Sequence, residues 1–219
     1  MNAVQSFAEG GSWPKGTNAI FITLVPKVVN PQLLNDFRPI SLVGLVYKIV
    51  SKILSSRLKR VLDKVIDPRQ SAFLEGRGLL DSVVVANETL EEIKRNKTEC
   101  VVFKVDYGKG YDSVKWDFIY YMLGRLRFYG KWIECVKNCL ESSSIFVLVN
   151  ESPTTEFKPI KGLRQGDPLT LFLFLIAAEG LAGVVRQAEE KMLGESNEVG
   201  EGRVKVSMLQ YADDTLFFL

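Results

Sequence analysis

Apolar residues recur with helical spacing between Leu45 and Val65, at Val46, Ile49, Val50, Ile53, Leu54, Leu58, Val61, Leu62 and Val65, which predicts a long amphipathic helix. A second helix is predicted from about Leu80 to Lys94. A third runs from Ser113, as its cap, to about Phe128 with Trp116, Ile119, Tyr120, Leu123 and Leu126 inward, and a shorter one spans Trp132 to Leu140. Strand signals alternate with these. After a turn at Trp13-Pro14-Lys15, Ala19 to Val25 reads as a short buried strand closed by Pro26 and Lys27. The pre-proline Arg38 biases Phe37 to Leu42 towards extended backbone, so Lys27 and Arg38 can face each other across a hairpin.

Cys100 to Val105 is almost continuously apolar, the pattern of a strand buried on both faces, and Asp106 stands at its C-terminal end. Ile145 to Val149 and Phe157 to Ile160 are predicted as two strands joined by Asn150-Glu151-Ser152-Pro153. Asp167 as N-cap and Pro168 at the first helical position open a long helix with a buried start, Leu169 to Ala178. Backbone N–H groups and Gln165 then lie at the positive end of its dipole, a place suited to a phosphate or a nucleotide. Glu195 to Gly202 is a flexible polar link. It leads into a last hairpin, in which two apolar runs flank Tyr211-Ala212-Asp213-Asp214 and hold two carboxylates at the tip.

Adjacent aspartates repel, and a fold that keeps them at the end of buried strands calls for a cation, most simply a divalent metal. Asp-Asp in a turn is also a common solvated bend, so the metal reading depends on the partners upstream, Asp106 and Gln165-Gly166-Asp167-Pro168. On the first helix Lys48, Lys52 and Lys59 form one stripe with Arg57, Arg60 and Lys64 nearby. This is either a seat for a phosphate backbone or an ordinary solvated basic face. Cys135 and Cys139, one helical turn apart, read as packing residues.

The composition narrows the chemistry. There is no histidine, which excludes Ser-His and Cys-His nucleophiles, His-ligated zinc and imidazole acid–base catalysis together. What remains is carboxylate, Lys or Tyr chemistry, or a hard metal on oxygen ligands, which means magnesium or manganese. The 219 residues, 47% hydrophobic and 25% charged, suit one large globular domain or two small ones. A net charge of only +2 requires any nucleic acid to be met by a local basic face. The three cysteines form no CxxC pair, and no secretory signal precedes them, so a nuclear or cytoplasmic location is expected. The apolar run Leu171 to Ala178 is far short of the roughly 20 residues of a membrane span, and no membrane partner is expected.

Five ordered segments carry a resemblance. They are Phe37-Arg38-Pro39-Ile40-Ser41-Leu42, Gln70-Ser71-Ala72-Phe73, Phe103-Lys104-Val105-Asp106 with Lys109-Gly110-Tyr111-Asp112-Ser113, Leu163-Arg164-Gln165-Gly166-Asp167-Pro168-Leu169, and Tyr211-Ala212-Asp213-Asp214. In this order they resemble reverse transcriptases of LINE-type (non-LTR) retrotransposons, plant elements above all, over almost the whole chain. The resemblance implies an α+β fold with the fingers and palm of a right-hand polymerase, fingers-like over 1–99 and palm over 100–219, with an antiparallel palm sheet backed by helices and no thumb.

It also implies an RNA-directed DNA polymerase that takes an RNA template, a DNA primer and deoxynucleoside triphosphates. Asp106, Asp213 and Asp214 would be the catalytic carboxylates that hold magnesium or manganese ions, which activate the primer 3′-hydroxyl and bind the triphosphate. Lys27 and Arg38 would grip the triphosphate, Tyr111 would exclude the sugar 2′-hydroxyl, and Gln165 and Gly166 would lie against nucleotide and template. Gln70 and Phe73 would contact the template. Some positions depart from the family: Gly108 and Gly110 beside Asp106, which imply a looser segment, Thr170-Leu171 in place of Ser-Pro, and Glu151 where an Asn-Gly turn is usual. The chain also stops just after the acidic hairpin. The alternative is therefore a catalytically silent remnant that at most binds nucleic acid; a two-metal phosphohydrolase or nuclease would need more acidic ligands close to Asp106 or Asp213, of which there is none except Asp112.

Overall fold

The structure is a computed structural model that describes residues 7, 13, 16–107, 109–191, 197–199 and 204–219. Pro14 and Lys15 of the expected first turn, Gly108, and most of the expected link 195–202 lie outside the described residues. In chain order the elements are β1 (Ala19–Pro26), a 3-10 turn (Leu34–Asp36), β2 (Phe37–Val43), α1 (Leu45–Val65), α2 (Leu79–Asn96), β3 (Val102–Asp106) and the one-turn α3 (Gly110–Ser113). There follow α4 (Trp116–Arg125), α5 (Gly130–Glu141), β4 (Ser144–Val149), β5 (Ser152–Pro153), α6 (Thr170–Glu190), β6 (Asn197–Val199), β7 (Val204–Val206), β8 (Met208–Tyr211) and β9 (Asp214–Phe218). The fold is α+β. It comprises two compact units, each built from two separated stretches, 1–58 with 111–173 and 59–110 with 174–219.

In the first unit the sheet order is β2-β1-β4-β5. β1 and β2 pair antiparallel with Val25 opposite Arg38, and the Lys27 N–H donates to the Asp36 carbonyl at 2.7 Å to close the hairpin. β1 and β4 run parallel, Ala19 opposite Ser144, a pairing that hydrophobic alternation does not reveal. The expected strand at Phe157 is reduced to a single bridge to Ile145, and β4 instead turns back onto the two-residue β5. That turn holds both Asn150 (φ 48°) and Glu151 (φ 65°) in the left-handed region, which costs a glutamate about 1 kcal/mol.

Two helices differ from expectation. Ser113 ends α3 instead of capping the next helix, and α4 begins at Trp116 and buries Trp116, Ile119, Met122 and Leu123. On α1 the buried stripe is Tyr47, Val50, Leu54, Leu58 and Leu62, whereas Val46, Ile49, Ile53 and Val61 are exposed. The apolar arc of α1 is wider than the stripe its neighbours cover.

The start of α6 is also unlike the expected phosphate seat. The Asp167 carboxylate is buried there and accepts hydrogen bonds from the Tyr47 hydroxyl (2.5 Å), from the Ser51 hydroxyl and from the Leu169 N–H (3.0 Å). Arg164 lies 3.7 Å from it, stacks on the Tyr47 ring at 4.6 Å, and donates to Asn18 Oδ1 and the Cys139 carbonyl. The protein's own carboxylate therefore takes the positive end of the helix dipole.

In the second unit β3, β9 and β8 form an antiparallel sheet in that order, with β6 and β7 as a separate two-stranded ribbon, so part of the expected link is strand. Val206 and Phe218 pack with Val85, Leu90 and Ile93 of α2 and with Leu209 and Leu216. β3 is an edge strand, and Val102 and Phe103 are exposed instead of buried on both faces. By length and apolarity α6 passes as a membrane span, but Leu173, Leu175 and Ile176 are fully buried and its Glu179 is ion-paired, as in a core helix.

An ion cluster pins the loop after α1. The Asp67 carboxylate accepts from Arg69 at 2.9 Å and from Arg186; Arg69 also reaches Glu189 at 2.9 Å, and Glu179 takes both Arg186 and the Asp67 N–H. Burial alone raises the Asp67 carboxyl, but the bonds from Arg69 and Arg186 outweigh it and bring the group to about 2 from the usual 3.8. The folded state binds this proton less readily than the unfolded chain, so the cluster stabilises on the order of 2 kcal/mol at neutral pH and less as pH falls from about 4 towards about 2. Urea unfolding of the parent is expected to show this loss on acidification, and Asp67→Asn to flatten that pH dependence while lowering the midpoint at neutral pH.

Candidate active site

The acidic hairpin is closed by the pair Tyr211–Asp214, leaving Ala212 and Asp213 as a two-residue loop. Ala212 is held at φ 54°, a left-handed conformation that glycine adopts more readily. Because β3 is antiparallel to β9, Asp106 sits directly opposite Asp214. The Tyr107 N–H donates to the Asp213 carbonyl at 3.4 Å, so the three aspartates share one end of the sheet. Asp106 and Asp214 are solvent-exposed.

Side chains on directly opposed positions share a face, and like charges there destabilise the pair. Lys104, two residues before Asp106 and so on the same face, relieves this: its Nζ lies 3.0 Å from Asp214 Oδ1. The bond to Asp214 holds the lysine above its usual range. Sequence reading placed Lys104 in a motif without a role, although the strand period in Lys104-Val105-Asp106 carries the signal. Among the described residues no three His, Cys, Asp or Glu side chains form a ready-made cage, so the aspartates converge through the backbone pairing and not yet through their carboxylates. The donor set nonetheless fits magnesium or manganese, since such ions are commonly held by one or two carboxylates completed by substrate phosphates.

Gly110 is tight, not loose: a Cβ there would lie 3.0 Å from the Phe174 ring and 3.2 Å from Tyr107 Cβ. The Gln70 side chain is buried, with Oε1 accepting from the Ala212 N–H at 3.0 Å, so it faces the hairpin and not solvent. Phe73 is exposed, its ring 6.3 Å from that of Tyr211. Lys59 is exposed and paired with Glu75 at 3.1 Å, while Lys48 and Lys52 are exposed on α1.

The first unit holds the other expected residues. The segment 111–114 lies along 162–163: the Tyr111 carbonyl accepts from the Leu163 N–H at 2.7 Å and the Val114 carbonyl from the Gly162 N–H at 2.8 Å. This approach requires glycine at 162, where φ is 87° and a Cβ would be 2.9 Å from the Asp112 carbonyl oxygen. The Gln165 carbonyl accepts from the Ser41 N–H at 3.4 Å, and exposed Gly166 follows. Beside these contacts lies a cavity of about 250 Å³ lined by Ser41, Asp112, Lys161, Gly162, Arg164 and Gln165 among others. Gln165 thus borders the cavity and Tyr111 does not, whereas Asp112 and Lys161 were not singled out as cavity residues from sequence. Lys27 and Arg38 are exposed, the Lys27 ammonium donating to the Asn35 carbonyl at 3.1 Å.

Residues 25–219 match the family model described as reverse transcriptase (RNA-dependent DNA polymerase). The Transposon TX1 uncharacterized 149 kDa protein of Xenopus laevis is 30% identical over 209 residues, 94% of this chain and 15% of that protein. The Retrovirus-related Pol polyprotein from type-2 retrotransposable element R2DM of Drosophila melanogaster is 27% identical over 213 residues, 95% of this chain and 19% of that protein. The chain therefore spans less than a fifth of the length of either relative; both are animal proteins and lend no support to a plant affinity. Telomerase from Candida albicans, solved with a fragment of telomeric RNA, superposes with a TM-score of 0.63 at 13% identity, covering 98% of this chain and 41% of that one. The two share a fold.

Replacing Lys104 by Met removes the cation that separates Asp106 from Asp214. Manganese is then expected to raise the melting temperature of Lys104→Met by more than it raises that of the parent, because ligand binding to the folded state relieves a larger repulsion. Melting curves with and without manganese measure the difference, and Asp213→Asn is expected to shrink the shift in both backgrounds.

Proposed function

Because the chain belongs to the reverse transcriptase (RNA-dependent DNA polymerase) family, we propose that it is the RNA-directed DNA polymerase part of a non-LTR retrotransposon protein, which joins deoxynucleotides to a primer 3′-hydroxyl along an RNA template. The observation that carries this reading is the register of the second unit's sheet, in which Asp106 lies opposite Asp214 with Asp213 in the adjoining turn. Reverse transcriptases work with divalent metal ions, and magnesium or manganese held by these carboxylates would supply Lewis-acid stabilisation of the charge that develops in phosphoryl transfer.

The remaining roles belong to side chains of the chain itself. Lys27 and Arg38, exposed at the loop end of the β1–β2 hairpin, offer cations to a triphosphate. Gln165 borders the cavity of the first unit and exposed Gly166 follows it, and Ser41 and Lys161 in the largely apolar lining offer polar contacts to a nucleotide. Tyr111, whose carbonyl accepts from the Leu163 N–H, is by the family resemblance the residue that would exclude a 2′-hydroxyl. The exposed Lys48 and Lys52 offer charge to a phosphate backbone, and in the second unit the exposed Lys59 and Phe73 offer charge and a stacking face. Three cysteines without a CxxC pair fit a reducing compartment, nucleus or cytoplasm.

With a net charge of +2, the 219-residue chain by itself is expected to hold a template–primer duplex weakly and in a salt-sensitive way. Residues 25–219 exchanged into a full-length non-LTR reverse transcriptase should support magnesium- or manganese-dependent extension of a DNA primer on RNA. Asp213→Asn should lower the rate by roughly a thousandfold or more, and Tyr111→Val should admit ribonucleotides more readily. A chimaera that folds and binds template but does not extend the primer would favour the silent-remnant reading; extension indifferent to Asp213→Asn would remove the carboxylates from the mechanism.

A further inference from the structure

The loop between α1 and α2 runs under the acidic hairpin and makes hydrogen bonds with it residue by residue. The Gln210 N–H donates to the Arg69 carbonyl at 2.8 Å, and the Ser71 N–H and hydroxyl donate to the Gln210 carbonyl at 3.0 and 3.1 Å. Between them stands Gln70, 1% exposed. Its Oε1 accepts from the N–H groups of Ala72 and Ala212, both at 3.0 Å, and its Nε2 donates to the Ala212 carbonyl at 3.4 Å. One primary amide thus engages both the N–H and the C=O of the single loop residue held at positive φ, immediately before Asp213.

The amide is itself held from behind. Arg77 donates to the carbonyls of Gln70 (3.0 Å) and Asp67 (2.7 Å), and the Asp67–Arg69–Arg186 ion cluster fixes the start of the loop. A left-handed alanine flanked by no glycine relaxes unless its surroundings over-determine it, and the direction in which Asp213 leaves the turn is set by the two peptide units that flank Ala212. A flexible turn would spread the Asp213 carboxylate over several positions, and precise placement of such groups depends on the shell behind them.

We infer that Gln70 is a positioning residue for the acidic turn: its side-chain amide locks the left-handed backbone of Ala212 and so fixes where the Asp213 carboxylate is presented. This rests on the metal reading of Asp106, Asp213 and Asp214. Template contact by the Gln70 side chain is set aside, because that side chain is buried and its amide is taken by the hairpin.

Two readouts on the 219-residue chain test it without reference to activity: amide hydrogen exchange at Ala212 followed by NMR, and manganese affinity from the electron paramagnetic resonance of the free ion. Gln70→Met, which keeps the volume and removes the amide, is expected to speed exchange at Ala212 by about tenfold or more and to weaken manganese binding by a similar factor, with core strand amides such as Phe217 unaffected. Gln70→Glu keeps the acceptor for the Ala212 N–H and loses the donor, and should fall between Gln70→Met and the parent; it also serves if Gln70→Met does not fold. Ser71→Ala, which removes a bond to Gln210 but none to Ala212, should lower the melting temperature without changing manganese affinity. Unchanged exchange at Ala212, or manganese affinity equal to the parent's in both Gln70 variants, would overturn the positioning role alone. No manganese bound by the parent would overturn the metal reading, and the role of Gln70 with it.

Discussion

Two aspartates lie directly across a strand pair, and a third follows in the adjoining turn; that repulsion is the constraint from which much of the second unit follows. A sheet that brings like charges together at its end must be held by contacts elsewhere. Here they are the apolar pairing behind the aspartates, Val102 opposite Phe218 and Phe103 opposite Phe217, together with Val206 and Phe218 packed on α2. Lys104 meets part of the charge from the same strand face. This lysine is a monovalent counter-ion paired with Asp214, beside two further aspartates at the same end of the sheet.

Each unit contains one buried polar network on α6, and the two do similar work. Asp167 fixes the start of the helix through Tyr47, Ser51 and the Leu169 N–H, with Arg164 behind; Glu179, Arg186 and Glu189 further along hold Asp67 and Arg69. Buried ionic groups contribute less net stability than their Coulomb energy suggests, because desolvation offsets it. What they do contribute here is register. An apolar helix such as α6 slides easily against an apolar core, and partners with fixed hydrogen-bond directions allow one setting.

The long elements and the position of Asp106 at a strand end and of Asp213-Asp214 in a hairpin turn were readable from sequence because their signals are local: α1 begins and ends where its periodicity does, and Asp106 closes a β-rich run. The parts that were not readable depend on what lies beside a residue. The parallel pairing of β1 with β4 joins segments more than a hundred residues apart in sequence. The outer arc of α1, Val46, Ile49 and Ile53, has the composition of a core face but not the cover. Asp167 reads as a cap in the sequence, yet only the fold shows that its carboxylate is enclosed by Tyr47 and Ser51. Gln70 is a polar residue in a loop, which suggests exposure; its burial follows from the hairpin above it. A cut of the chain near residue 99 and the two contact units are different divisions, since a linear reading cannot show that 59–110 closes with 174–219.

That interleaving has a consequence for synthesis. β3 finds its partner in β9, with Val102 paired to Phe218, so a ribosome must add more than a hundred residues after β3 before its ladder can form. Throughout that interval a strand carrying Val101, Val102 and Phe103 waits without its neighbour, and non-local pairing of this kind is slow and prone to capture by other chains. Rapid elongation through the second half, or a chaperone that covers the Val101–Phe103 segment until the acidic hairpin arrives, would shorten or shield that exposure.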